Sequence, residues 1–258
     1  MSLLQYFRLA DTMARMALRA DAARYFLGYI WWVLEPLLWV GVFYLVFVVL
    51  LNSREPNFMM FLAVGKLAFV WFSKTISQAS NSIVNGKGLV GKISVPMSLF
   101  PMSVVQESLY RQVAVFAMLT ALLVGDGYAI TMTWWYLVPL LLVYYILILA
   151  CSFLGACLVC IARDFAQLIT LGVMFLLFMS GIFWDVRTLG DPYKTELVLN
   201  LNPLAFILDA FRQIMMYNTP PDMMHLAAIG AGFAAMLCVM VLIMRGGSQF
   251  LALRALTA

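Results

Sequence analysis

The stretch GKGLVGKIS, residues 86–94, places Gly86, Gly91 and Lys92 at the spacing of a phosphate-binding loop. In such a loop backbone amides cradle phosphates and the lysine reaches their oxygens. Three features break the match: Ile93 stands where a magnesium-binding hydroxyl is needed, an apolar segment precedes the loop in place of a β-strand, and Pro96 follows within a turn. Nucleotide binding is not expected on this stretch. Glu107 and Arg111 stand four apart, a spacing that allows an ion pair within one helix and lowers the cost of burying both charges. Lys66, Ser73, Ser77 and Ser80 return close to one helical face, and such a stripe serves equally to line water or to pack on a neighbour. Lys74 falls about a quarter turn off that stripe and is expected to reach for the membrane interface. His225 lies beside Asp222 without the further ligands a metal site needs. Cys151, Cys157, Cys160 and Cys238 sit inside apolar runs, where thiols act as small hydrophobes, and their spacing fits neither a metal site nor a disulfide framework. No exposed segment gathers a nucleophile, a base and an orienting group, so neither a catalytic residue nor a metal site is expected.

The elements that position these residues follow from composition. The 258 residues are 65% hydrophobic and 11% charged, too apolar for a surface solvated by water. Several runs approach the roughly 20 residues that carry a helix across ~30 Å of hydrocarbon, and the period-two alternation of a β-barrel is missing. The expected class is all-α: a polytopic membrane protein with six transmembrane helices over about 30–51, 57–80, 102–124, 134–160, 166–184 and 225–244. An even number puts both termini on one side. With that side cytoplasmic, the inner segments hold Arg8, Arg15, Arg19, Arg24, Lys87, Lys92, Arg163, Arg245 and Arg254, against Arg54, Arg187, Lys194 and Arg212 outside. This excess predicts both termini in the cytoplasm. The net charge of +4 therefore belongs to a membrane face, and nucleic acid is not an expected partner. About 25 mixed residues, Asp11 and Asp21 among them, precede the first apolar run, which is not the pattern of a cleaved signal peptide.

Within one transmembrane domain, 1–258, three segments stand out. Residues 1–28 are expected to form a cytoplasmic interfacial helix, because Leu4, Phe7, Leu9, Met13, Met16 and Ala17 recur near helical spacing between charged residues. The first span must run through Pro36, since the 16 residues from there to Leu51 rise only about 24 Å; Glu35, Trp31 and Trp32 then lie near the interface. Residues 81–101 form a cytoplasmic connection apolar enough to dock into a partner's groove. In the exterior segment 185–224, Asn202 is placed to cap a helix with Pro203 at its first position, followed by an apolar face of Leu204, Ile207, Leu208, Phe211 and Ile214. That helix is too short to cross a bilayer, which predicts a short re-entrant or interfacial element. Aromatic residues collect near span ends, where they anchor at the interface or offer faces on which sugars pack.

The segments LGYIWWVLEPLL (27–38), ARDFAQLITLGVMFLLFMSGIFW (162–184) and LNPLAFILDAFRQIMM (201–216), in this order, resemble the permease subunits of ABC transporters that export polysaccharides of the capsule, O-antigen and teichoic-acid class. The resemblance covers nearly the whole chain. It implies a second copy of the chain enclosing a channel, cytoplasmic ABC ATPase subunits that hold ATP and Mg, no cofactor on this chain, a lipid-linked polysaccharide as cargo, and the inner (cytoplasmic) membrane, with its lipids, as location. Carried over by residue, it puts Tyr29, Trp31, Trp32, Glu35, Phe178, Phe183 and Trp184 along the substrate channel, and Asn202, Pro203 and Phe206 at an exterior gate. Gly91, Lys92, Val95, Pro96, Leu99, Arg163 and Asp164 fall in the ATPase-coupling region. Glu35 before Pro36 leans toward capsule export, with a basic partner expected in Arg24 or on another chain. One departure is Asp21-Ala22 where many members carry Arg-Tyr. Rival readings are a secondary transporter using Lys66, Glu107 and Arg111, a membrane enzyme acting on lipid-linked sugars, and a small-molecule exporter; the lack of an internal repeat counts against the first.

Overall fold

The computed structural model describes residues 2–50, 57–90 and 95–257, and these are helical wherever they are regular. The first helix, α1 (Leu3–Arg24), starts on a capping box: Ser2 Oγ accepts from Gln5 N–H and the Gln5 side chain accepts from Ser2 N–H. Ala10, Ala14, Leu18 and Ala22, four residues apart, are buried on the side that packs against α6 (Leu99–Gly125). Small side chains let the two backbones approach. The larger Leu4, Phe7 and Met16, part of the apolar face expected to lie on the bilayer, are exposed and not packed on α6. The chain then turns through 99° into a short 3-10 turn, Gly28–Ile30, and the apolar helix α2 (Trp31–Tyr44). A helix at right angles to the apolar one that follows is the arrangement expected of an interfacial helix leading into a span. Pro36 lies inside α2, which continues as a π-helical turn over Leu45–Leu50.

Four helices among the described residues are long and apolar enough to cross a bilayer: α3 (Phe58–Ser80), α6, the stretch Met132–Ile161 and α11 (Met223–Gly246). Between α3 and α6 come two single helical turns, α4 (Ser82–Asn85) and α5 (Lys87–Val90). The third long stretch opens with a 3-10 turn and continues as α7 (Leu137–Ile161). The first and fifth expected spans are shorter: α2 has 14 residues before its π turn, and α8 (Asp164–Met179) has 16, a rise of about 24 Å. The expected fifth segment ran to residue 184, but Ser180–Trp184 leaves the helix through Gly181, whose φ of 68° is open to glycine at little cost. Two further helices, α9 (Pro192–Leu201) and α10 (Pro203–Met215), precede α11, and α12 (Ser248–Thr257) closes the described chain.

The core forms where α3, α6, α7 and α10 meet. Four rings close a cycle there: Trp71 on Tyr144 at 5.2 Å, Tyr144 on Phe211 at 5.9 Å, Phe211 on Phe116 at 5.5 Å and Phe116 on Trp71 at 6.0 Å. The two polar tips are satisfied: Tyr144 donates to the Ala68 carbonyl at 2.9 Å and Trp71 to Ser108 Oγ at 3.3 Å. Helices α1, α4, α5, α12 and the start of α8 gather at one end of the bundle, the terminal face. At the other, the distal face, lie α9 and α10.

Candidate functional site

On the terminal half, Arg111 of α6 ties three helices together. Its Nη2 lies 3.1 Å from Asp21 of α1 and pairs with Glu107 one turn earlier on α6, while the guanidinium carbon stands 5.3 Å from the centre of the Trp32 ring on α2. Trp32 Nε1 in turn donates to Asp21 at 3.3 Å. The intrahelical pair expected from spacing is formed, and Asp21, the departure from the family pattern, supplies a second carboxylate to the same guanidinium. One turn along α2, Glu35 meets Lys74 of α3 at 2.5 Å, so within the protomer its basic partner is Lys74 and not the expected Arg24. A cavity of about 70 Å³ lies between these groups, lined by Trp32, Glu35, Lys74, Gln78, Arg111 and Gln112 among others. Arg111 Nε and Gln112 Nε2 are buried without a hydrogen-bond partner. Such a space suits water or a hydroxyl oxygen. Nearer the start of α1, Asp11 accepts from the Tyr110 hydroxyl of α6 and pairs with Arg15 at 2.9 Å. The Tyr110 bond, with Arg15 beside it, holds the Asp11 carboxyl below the ordinary carboxylate range.

The aromatic residues expected along a channel form two groups that α2 connects. Before and within its first turn, Tyr25 stacks on Trp31 at 6.2 Å and Tyr29 meets Trp32 edge-on at 4.8 Å. At its far end Trp39 meets Phe43 at 6.1 Å, Phe43 meets Phe183 at 5.2 Å, and Phe183 meets Phe178 of α8 at 5.9 Å. Trp184 closes this group by donating to the Phe178 carbonyl at 3.0 Å. Lys66 of α3 sits 5.2 Å from the Phe43 centroid and 5.9 Å from that of Trp39, a cation held against aromatic faces rather than against a carboxylate. α2 buries only Pro36 and Val40, and α8 buries no residue at all. Tyr29 and Phe178 are both 55% exposed. These two short helices thus present an apolar, ring-bearing wall that the protomer itself does not cover.

The distal half is built the opposite way. Asn202 Oδ1 accepts from Leu204 and Ala205 N–H at 3.1 and 3.2 Å, capping α10, with Pro203 at its first position as expected. The Asn202 amide also donates to Ser180 Oγ at 3.0 Å and to the Met179 carbonyl at 3.3 Å, so the cap holds the end of α8. Every residue of α10 from Leu204 to Met215 is buried. Phe206, expected at a gate, is among them, packed on the His225 ring at 4.4 Å between centroids. Asp222 caps α11 by accepting from Met224 and His225 N–H at 2.9 and 3.1 Å.

Two further arrangements on α10 escaped sequence reasoning. Arg212, 1% exposed, donates to the carbonyls of Phe61, Gly181 and Ile182 at 3.2, 2.7 and 3.2 Å and lies 3.4 Å from the Phe61 ring centre. Gly65 makes room for it, since a Cβ at that position would collide with the guanidinium. Asp209, 3% exposed, takes a two-pronged bond from Arg187 at 2.8–3.1 Å and another from Gln213 at 2.8 Å. Spacing alone would have paired Asp209 with Arg212, three residues on. The available signal was a charged residue next to Phe211 on an otherwise apolar face.

Of the expected coupling residues, Gly91 and Lys92 lie outside the described residues. Val95 and Pro96 are half-buried. Leu99 is 0% exposed at the start of α6, which corrects its placement on a docking surface: the helix begins inside the segment taken for a loop. Arg163 and Asp164 are exposed at the start of α8, where a carboxylate suits the helix dipole. Tyr6 of α1 donates to Ser98 at 3.1 Å, and α12 packs on α4, α5 and α7. The chain ends, the α3–α6 connection and the start of α8 therefore share one face.

Residues 12–216 match the family described as ABC-2 type transporter. An O-antigen export system permease protein RfbA of Myxococcus xanthus is 27% identical over 231 residues, 89% of this chain and 88% of that protein. Two proteins of the same name from Klebsiella pneumoniae are 24% identical over 194 residues, 75% of this chain and 74% of the relative, and 23% identical over 190 residues, 73% of each.

Proposed function

Since the chain belongs to the ABC-2 type transporter family, we propose that it is the membrane subunit of an ATP-driven exporter that carries a lipid-linked polysaccharide of O-antigen type across the inner membrane. The names of the relatives support this cargo class; they lend no weight to capsule, toward which Glu35 leaned. The observation that carries the reading is the wall formed by α2 and α8, little covered in the protomer, on which Tyr29 and Phe178 are exposed and Trp31, Trp32 and Phe183 half-buried. A second copy facing that wall would enclose a passage between two sets of rings. Rings pack on the C–H faces of sugars and leave the hydroxyls to water, so a chain of sugars slides past them.

ATP and Mg belong to a separate ATPase on this reading, because the stretch at 86–94 lacks the hydroxyl that holds magnesium in a phosphate loop. That partner docks at the terminal face against Val95, Pro96, Arg163 and Asp164, with both chain ends cytoplasmic. Displacement of α1 reaches the ring-bearing helix by a short route: α1 is bonded to α6 through Asp11–Tyr110 and Asp21–Arg111, and to α2 through Asp21–Trp32. ATP drives the cycle only to the extent that the ATPase binds it more tightly in one of these arrangements. Asn202 and Pro203 act at the exterior end by holding the α8–α10 junction.

The test is affinity purification of the tagged chain in mild detergent, followed by reconstitution into vesicles. The expected result is copurification of an ABC ATPase and movement of a lipid-linked glycan that stops without ATP. Transport by the isolated chain under an ion gradient would overturn the proposal in favour of a secondary transporter.

A further inference from the structure

A cavity of about 660 Å³ opens at the terminal face between the start of α1, the segment leading into α6, and the bodies of α7 and α11. Its lining is graded. Ser2, Tyr6, Ser98 and Arg245 form one end; Leu149, Phe153, Leu237 and Val241 form the other. The gradient follows depth in the membrane. α7 ends at Ile161 and α11 at Gly246 on this face, so Phe153 and Leu149 lie about two and three turns inward, roughly 12 and 18 Å. Leu237 lies about two turns inward from Arg245. Half of a ~30 Å hydrocarbon core is about 15 Å, so the groove reaches from the headgroup level through one leaflet.

We propose that this groove binds one anionic phospholipid of the bilayer, its phosphate on Arg245 with the Tyr6 and Ser2 hydroxyls beside it and one acyl chain between α7 and α11. The charge complements a phosphate, and a guanidinium with neighbouring hydroxyls is a strong donor set for its oxygens. A basic rim above an apolar slot between spans is the general form of a headgroup-selective lipid site. An extended polypeptide is the poorer occupant, because its backbone would enter an apolar slot offering no partners for its amides and carbonyls. The lipid so held touches α1, the segment carrying Ser98 and the last span together; the first two are already joined there by the Tyr6–Ser98 bond. The proposal is independent of what the protein transports.

The purified chain, placed in nanodiscs of phosphatidylcholine containing phosphatidylglycerol and then released for native mass spectrometry, reads the site directly. The wild-type chain is expected to retain one phosphatidylglycerol in preference to phosphatidylcholine. Arg245→Gln, at an exposed position, should cut that retention about tenfold and abolish the headgroup preference. Leu237→Trp, which fills the slot, should lose both lipids, and Leu242→Trp on the exposed side of α11 should change nothing. Equal retention by wild type, Arg245→Gln and Leu237→Trp at matched melting temperature overturns the site, as does a wild-type chain that carries no lipid. Replacement of the lipid by a second copy of the chain whose binding Leu237→Trp abolishes overturns it in favour of a protein contact.

Discussion

Arg212 near the distal face and Arg111 in the terminal half each join several parts of the chain, by opposite chemistry. Arg212 is enclosed: it donates to three backbone carbonyls, stacks on Phe61 and occupies space left by a glycine. Those acceptors are backbone carbonyls of two separate buried segments, fixed in place by the fold around them. Arg111 answers to two carboxylates and a ring, keeps a quarter of its side chain in solvent and borders a cavity. Carboxylates on separate helices can exchange partners or accept water when α1 or α2 shifts. The distal cluster is built to hold one arrangement, and the terminal network to survive a change of arrangement.

The largest effect is expected at the enclosed arginine. Arg212→Met takes the guanidinium from three buried carbonyls, of which Gly181 and Ile182 lie outside any helix, and should destabilise the protein by about 3–5 kcal/mol, seen as loss of folded material or a sharply lowered melting temperature in detergent. Gly65→Ala, acting on the same guanidinium from the other side, should cost about 2–3 kcal/mol. A melting temperature unchanged in either variant would break the comparison at its rigid end.

Next comes the buried carboxylate. Arg187→Ala strands Asp209 with Gln213 as its remaining partner in the cluster, and should cost about 3 kcal/mol. Adding Asp209→Asn removes the stranded charge and should restore more than half of that loss. If the double variant is no better than the single one, Arg187 matters for packing and not for charge. Asn202→Ala removes a helix cap and two bonds to the end of α8, and should cost about 1–2 kcal/mol.

The helical skeleton was legible because period and length carry it. Each of the six apolar segments overlaps a helix, although four of these, among the described residues, are long and apolar enough to cross a bilayer and the fifth segment leaves its helix at Ser180; the Asn202-Pro203 start of α10 follows from the cap rule alone. Partners distant in the chain were not legible. Nothing local to Arg212 points to carbonyls some 150 residues earlier, and nothing local to Glu35 chooses Lys74 over Arg24. The second face of α1, by which it packs on α6, was not legible because its contacts are made largely by alanines, which close approach rewards and hydrophobicity undervalues. Leu99 was placed on the surface because Pro96 and Pro101 read as loop signals, whereas a proline in the first turn of a helix costs little. Of the candidate site, the ring-bearing residues were legible as types; that they gather in two groups at the ends of α2 depends on tertiary contacts such as Phe43 with Phe183.

At the terminal end the comparison predicts a dissociation between stability and function. Arg111→Gln should lower stability by about 2 kcal/mol, less than Arg212→Met because the Arg111, Asp21 and Glu107 side chains keep 26%, 25% and 13% of their surface in solvent, while sharply reducing ATP-coupled export. The reason is that Glu107 and Asp21 are left facing each other without the cation that joins α1 to α6. A fall in melting temperature as large as that of Arg212→Met would show the two regions to be alike.

The smallest stability effect is expected for Glu35 and Lys74, whose side chains are 34% and 51% exposed. Reversing one charge, as in Glu35→Lys or Lys74→Glu, should cost about 0.5 kcal/mol, because exposed pairs gain little and like charges there repel through water. The pair nevertheless bridges α2 to α3, the helix that carries the rings to the helix at the centre of the core. If it acts as a latch on α2, each single reversal should alter export more than its stability cost accounts for, and the exchanged pair Glu35→Lys with Lys74→Glu should recover export. A latch depends on opposite charge across the gap and not on which helix carries which sign. Recovery in the exchanged pair would therefore place the movable joint of the terminal network between α2 and α3. Failure to recover, with stability intact, would mean that the carboxylate of Glu35 itself faces the cargo, and the joint would have to be sought at Arg111.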